Sequence, residues 1–292
     1  MLNRSALTLF LLMCWIPLGC TKNPFDSDRL ANSKNVISGE IKLADGVQPD
    51  SIYVWLEGLD VGGWTDRTGR FEIRLPSASS RPEASLTGVF KLYFYLANYG
   101  LDSAEVVLRQ GRVEFGHGDI TSEGQLRERA YLKRILNVRT TIIPQLFPEF
   151  SADTAATIEG QTLRIELAVQ AVTTPVTVEY PNCSRGPVAI LFIQPSDAGA
   201  SSLKILDIDG TASHAEPIAE TIYSTQKLFI TYCYLRVGQL ASGNYKIIPY
   251  FYIRQRGLPA ALLQSLGANV LQPEPDFLKI PMKRDGGDFR VR

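Results

Sequence analysis

The sequence predicts an all-β protein built from two β-sandwich domains behind a short leader. Three observations predict it. Apolar and polar residues alternate with period two in short segments along most of the chain. Turn residues fall between these segments at the close spacing of a sandwich. Only one stretch shows helical spacing. Hydrophobic residues make up 45% of the 292 positions, enough to fill two cores.

The leader comes first. Met1-Leu2-Asn3-Arg4 carries one early positive charge, Ala6 to Leu18 is almost wholly apolar, and the run closes on Gly19-Cys20. The apolar run is shorter than the ~20 residues of a membrane span. Residues 1–19 therefore read as a secretory signal peptide. A cysteine directly after the small residue resembles the signal of bacterial lipoproteins, although Pro17 and Leu18 depart from that family's usual residues. The resemblance implies cleavage before Cys20 and acylation, such as palmitate, on Cys20. Ordinary secretion with an unmodified Cys20 and an uncut anchor are the alternatives. Stable anchoring takes more than one acyl chain. Thr21 in second place, where an Asp would retain the protein, implies the outer membrane of a cell envelope.

Residues 20–35 are polar and aperiodic and read as a tether. Strand-like alternation then begins: Ile37, Ile41 and Leu43; Ile52, Val54 and Leu56; Phe71, Ile73 and Leu75; Phe90, Leu92, Phe94 and Leu96; Val106 and Leu108; Val113 and Phe115. Turn signals at Ala44-Asp45-Gly46, Gly62-Gly63 and Thr68-Gly69 separate them. Val36-Ile37-Ser38-Gly39-Glu40-Ile41, Tyr53-Val54-Trp55-Leu56, Thr65-Asp66-Arg67-Thr68-Gly69-Arg70-Phe71 and Leu92-Tyr93-Phe94-Tyr95 resemble the carboxypeptidase regulatory-like (transthyretin-like) domain. The likeness covers residues 36–136. It implies a prealbumin-like β-sandwich, an accessory module that binds or spaces, sometimes on carbohydrate, with no catalytic residue to carry over. In the central motif Asp66 can cap a turn, Gly69 can take positive φ and Phe71 can plug a core. The Gly58–Trp64 segment departs from the family pattern, and Val113–Leu126 shows no clear place in it.

Residues 137–160, punctuated by Pro144, Pro148 and Gly160, read as a connector. Residues 161–292 then form the second sandwich. Leu163, Ile165, Leu167 and Val169 alternate, as do Val176, Val178 and Tyr180. Val188–Ile193 is a continuous apolar run suited to a central strand, and Lys227–Tyr234 and Tyr245–Ile253 are strongly β-forming. Val237 to Tyr245 resembles a hairpin common in bacterial Ig-like modules, a generic likeness. Pro259–Leu266 is the one short helix, with Leu262, Leu263 and Leu266 on a face and Gly267 at its end.

The composition excludes several functions. Lys+Arg and Asp+Glu are 30 each, with no basic block, so no nucleic-acid footprint exists. His117 and His214 are the only histidines, and neither has a ligand partner at metal-binding spacing. No metal or cofactor is expected, and no nucleophile or phosphate-loop motif is present. Asp207-Ile208-Asp209-Gly210 could open a calcium loop, but an Asp-capped turn accounts for it. Cys183 and Cys233 are expected to form a disulfide in an exported chain, with two buried thiols as the alternative.

Aromatics are the remaining candidates. Trp64, beside Gly62-Gly63, either stacks on a sugar or partner or packs over the sandwich end. Trp55, Tyr93 and Tyr95 lie opposite the core-facing residues of their strands. They form either a binding stripe or a packing surface for another domain. The expected function is a non-enzymatic, membrane-anchored envelope lipoprotein that binds or scaffolds, with the membrane and an envelope protein as partners. The alternative is a surface protein that captures carbohydrate or peptide through exposed aromatics.

Overall fold

A computed structural model describes residues 36–76, 86–145, 162–196, 203–236 and 238–291. The signal peptide, the tether and Cys20 lie outside them. The expected all-β class holds.

The first region contains β1 (Val36–Leu43), β2 (Tyr53–Leu56), β3 (Val61–Trp64), β4 (Arg70–Arg74), β5 (Gly88–Tyr95), β6 (Asp102–Arg109), β7 (Arg112–Val113) and β8 (Ala130–Leu132). They form two sheets, β4-β1-β8 and β3-β2-β5-β6-β7. The period-two residues meet between them: Ile37, Ile41, Phe71 and Ile73 from one sheet, Val54, Leu56, Phe94 and Val106 from the other. Burying these alternating faces is what fixes the strand registers.

The second region contains β9 (Leu136–Gln145), β10 (Thr162–Ala171), β11 (Val176–Pro181), β12 (Ile190–Pro195), β13 (Lys204–Asp207), β14 (Pro217–Ile222), β15 (Lys227–Tyr234), β16 (Gly243–Pro249), β17 (Tyr252–Arg254), the helix α1 (Ala260–Leu266), β18 (Asp285–Gly286) and β19 (Asp288–Val291). Its strands lie in three sheets, β15-β10-β9-β18, β14-β11-β17 and β13-β12-β16-β19, one sheet more than a simple sandwich. The apolar run expected to be central is central: Ile190 to Ile193 are all buried, between β13 and β16. Pro259 caps α1, Gly267 ends it, and Leu262 and Leu266 are buried.

The expected connector is corrected at its start. Residues 137–145 belong to β9, which pairs with β10 from Leu136↔Ala171 to Gln145↔Thr162. Val138 and Thr140 turn into the core, and Pro144 sits near the end of the strand, where a missing N–H is tolerated. The rest of the expected connector, from 146, lies outside the described residues.

The two regions join at the turn Leu96–Tyr99 after β5. This turn is buried, so its backbone groups need protein partners. The Ala97 N–H donates to Pro281 O (2.7 Å), and Asn98 O accepts from the Ile135 N–H (3.0 Å). The Asn98 side chain, fully buried, donates to Lys283 O (2.8 Å) and Leu136 O (3.3 Å) and accepts from the Lys283 N–H (3.0 Å). Gln255 Nε2 donates to Ala97 O (2.7 Å) and Tyr99 O (2.6 Å). At the end of the turn Tyr99 Oη (2.8 Å) and Arg134 Nε (2.6 Å) both donate to Asp45. Partial burial would raise the Asp45 pKa, but the bonds from Arg134 and Tyr99 outweigh it and hold the carboxyl below its ordinary value.

The disulfide expectation is also corrected: Cys183 and Cys233 are free thiols. Cys183 sits in a tight turn after β11, its Sγ 3.9 Å from the carbonyl of Gly186 in the same turn. From that turn it is Arg185 that reaches β15. Its guanidinium donates to Thr231 Oγ1 (2.9 Å) and pairs with Asp209 (2.5 Å). Cys233 faces the core from β15, and burial pushes its thiol up to about 11.

Two expectations follow from these contacts. Replacing Asn98 with Ala takes a partner from three backbone groups, one buried and two partly buried, so unfolding in urea should show a loss of roughly 2–3 kcal/mol. A loss below about 0.5 kcal/mol would mean that the turn holds without its side chain. In the folded chain a maleimide should label Cys183 well before Cys233, and both should label once the unreduced chain is denatured. A cysteine pair that resists alkylation after denaturation would restore the disulfide.

Candidate binding groove

The turn between β3 and β4 builds the clearest surface site. Asp66 Oδ1 accepts from the Thr68 N–H (2.8 Å), the Thr68 hydroxyl (2.7 Å) and the Arg70 N–H (3.0 Å). Thr68 and the Arg70 backbone thereby hold the carboxyl below its ordinary value. Gly69 has φ +83°, and a Cβ there would lie 2.1 Å from Ile41 O. Thr65 ties the turn back, donating to Pro49 O (2.7 Å) and accepting from the Ile52 N–H (2.9 Å). Phe71 then enters the core against Phe94, ring centroids 6.0 Å apart. Each role expected of this motif is present.

Trp64, at the end of β3, stands beside this turn and is 48% exposed. Its ring rests on Tyr53, with centroids 4.8 Å apart. A Cβ on Gly62 would lie 2.3 Å from Tyr53 Oη, so glycine is what lets β3 lie over the tyrosine. Tyr53 Oη bonds to Ser265 Oγ of α1 (3.0 Å), and Ser265 in turn donates to Leu262 O (2.7 Å). The exposed indole therefore has a fixed backing.

A groove of about 830 Å³ opens at Trp64, lined also by Ser38, Glu40, Asp66, Arg70, Glu72, Gln125, Arg127 and Arg129. Several of these groups are already engaged. Arg129 pairs with Glu40 (3.0 Å), and Arg127 donates to Gly116 O (2.6 Å) and Gly118 O (2.9 Å). Glu72 is paired with Arg74 (3.4 Å). Among the described residues, no side-chain hydrogen bond holds Arg70 or Gln125. The groove thus offers an aromatic platform with free amide and guanidinium groups near it. These polar residues come from β1, β4 and the 125–129 segment. No local motif joins them, and sequence reading found only Trp64 and the turn.

The other aromatic candidates are corrected as exposed binding groups. Trp55, Tyr93 and Tyr95 do share one face of the sheet, but they are buried in one core with Leu163, Val178, Ile253 and Phe277 of the second region. Trp55 and Tyr93 pack at 6.0 Å, and Trp55 Nε1 donates to Asp60 (2.8 Å). The stripe is the packing surface between the two regions. Asp207 caps a turn, its carboxylate accepting from the Ala212 (3.2 Å) and Ser213 (2.9 Å) N–H groups, while Asp209 pairs with Arg185. The described residues hold no cluster of His, Cys, Asp and Glu suited to a metal. They contain no helix long and apolar enough to cross a membrane.

No protein-family model matches the chain, and no curated protein matches it. Among solved structures it is similar to a candidate carbohydrate-binding protein from Bacteroides uniformis at 11% identity, covering 76% of this chain and 96% of that one, with a TM-score of 0.28. Two structures of the major pilin subunit of Bacillus cereus are 9% and 8% identical, with TM-scores of 0.25 and 0.22. Each covers 75% of this chain, and 67% and 66% of the pilin. Scores this low assign neither a family nor an activity.

Proposed function

We propose that the chain is a non-enzymatic carbohydrate-binding module of the bacterial cell envelope, held at the membrane by lipid on Cys20. The observation that carries the binding reading is Trp64. It is a half-exposed indole, backed by a second ring, at the mouth of a groove with free polar groups. A sugar presents a C–H face to such a ring and hydroxyls to the amide and guanidinium beside it. The groove carboxylates support binding rather than catalysis. Asp66 is committed to its turn, and Glu40 and Glu72 to arginines. The resemblance of residues 36–136 to an accessory module and the leader ending in Gly19-Cys20 are in keeping with this reading.

Trp64→Ala should weaken binding to soluble envelope or plant polysaccharides in affinity electrophoresis by at least about tenfold, which is 1.4 kcal/mol. The melting temperature should stay close to that of the unaltered chain. Wild-type migration unaffected by every polysaccharide tried, or a variant that binds as well as wild type, would remove the proposal. The anchor is tested separately. Cys20→Ser should move the protein from the membrane to the soluble envelope fraction and abolish fatty-acid labelling. Unchanged partitioning would rule out lipid as the anchor.

A further inference from the structure

The strand β15 is the outermost strand of its sheet, and among the described residues no strand pairs with its far edge. It runs alongside β10 without interruption from Val169↔Lys227 to Thr162↔Tyr234, so no bulge disturbs it. Its outward residues are Leu228, Ile230, Tyr232 and Tyr234, each between 38% and 56% exposed. Folded proteins guard long apolar edges with proline, bulges or charge to prevent pairing with another chain. Here those guards are missing. The one charge on the strand, Lys227, lies at its start and is ion-paired with Glu220.

We propose that β15 pairs with β15 of a second copy of this chain, antiparallel, about a two-fold axis through Thr231. The strand is complementary to itself in that register. Ile230 of one copy lies opposite Tyr232 of the other, and Leu228 opposite Tyr234, the aromatic–aliphatic pairs that favour antiparallel strands. A two-fold axis lets the same patch serve both copies and closes the assembly at a dimer. Charge on the neighbouring strand agrees with it. On the same face Glu166 lies beside Ile230 and Arg164 beside Tyr232, as an ion pair of 2.6 Å. Across the axis Glu166 of each copy stands in the same cross-strand row as Arg164 of the other, about 14 Å away with Ile230 and Tyr232 between them, so the register brings no like charges together. The two sheets join into one of eight strands.

The test uses the chain without residues 1–20, which keeps every described residue, in sedimentation velocity over a wide range of concentration. Wild type should dimerise reversibly. Ile230→Lys places an ammonium beside Glu166, and Tyr232→Glu places a carboxylate beside Arg164. Each change has an opposite charge next to it in its own sheet, and circular dichroism should show an intact fold. Each variant alone should self-associate at least about tenfold more weakly. An equimolar mixture of the two should recover the dimer, because one pair of facing positions is then oppositely charged and the other is native. A wild-type chain that stays monomeric overturns the proposal, and so does one whose exposed face instead binds phosphatidylglycerol vesicles as a monomer. A dimer that survives both substitutions, or a mixture that does not recover, also overturns it.

Discussion

The fold depends on a demand that a buried turn makes of its surroundings. Leu96 to Tyr99 carries the chain from β5 toward β6 at a place closed to water. Its N–H and C=O groups cannot be left without partners there. Pro281, Ile135 and Gln255 supply them, and Lys283 holds the Asn98 side chain; Ile135 lies between β8 and β9, and the other three belong to the second region. The polar bonds in turn hold Trp55, Tyr93 and Tyr95 against the second region, where apolar burial does most of the stabilising. The same arrangement buries the Arg284 side chain over the Phe277 ring, 5.8 Å from its centroid, and burial pushes that group down to about 10. It still carries its charge at neutral pH.

The two regions are for that reason less separate than two modules on a string. Leu136, the first residue of β9, accepts a bond from Asn98 through its carbonyl and begins the strand that runs the length of β10. A fragment ending at residue 136 would expose the aromatic row and lose the partners of the turn. Stability measured on such a fragment would describe a different surface from the one the intact chain presents.

Much of the architecture was legible in the residues. Leu163 to Val169 alternates without a break and forms β10. Lys227 to Tyr234 forms β15 with the facing that alternation predicts. The Asp66–Phe71 motif could be read almost atom by atom, because a turn is a local structure and its chemistry lies within six residues. β9 was missed because Thr140 fills an inward position and Pro144 looks like a terminator, so a real period of two was obscured. For Trp55, Tyr93 and Tyr95 the shared face was readable, but what covers it was not. That depends on residues more than 60 positions away. The same holds for the groove, whose polar walls are brought together only by the fold. The cysteines misled because compartment suggests a bond, whereas Arg185, not Cys183, occupies the approach to β15.

Tyr53 touches both halves of this organisation. One side of its ring supports Trp64 at the groove, and its hydroxyl is bonded to Ser265 on the helix of the second region. The packing of the exposed indole is therefore linked, through one side chain, to the join between the regions. By thermodynamic reciprocity any such coupling acts equally in both directions. Through this one ring a change made at the join reaches the groove, and a change made at the groove reaches the join.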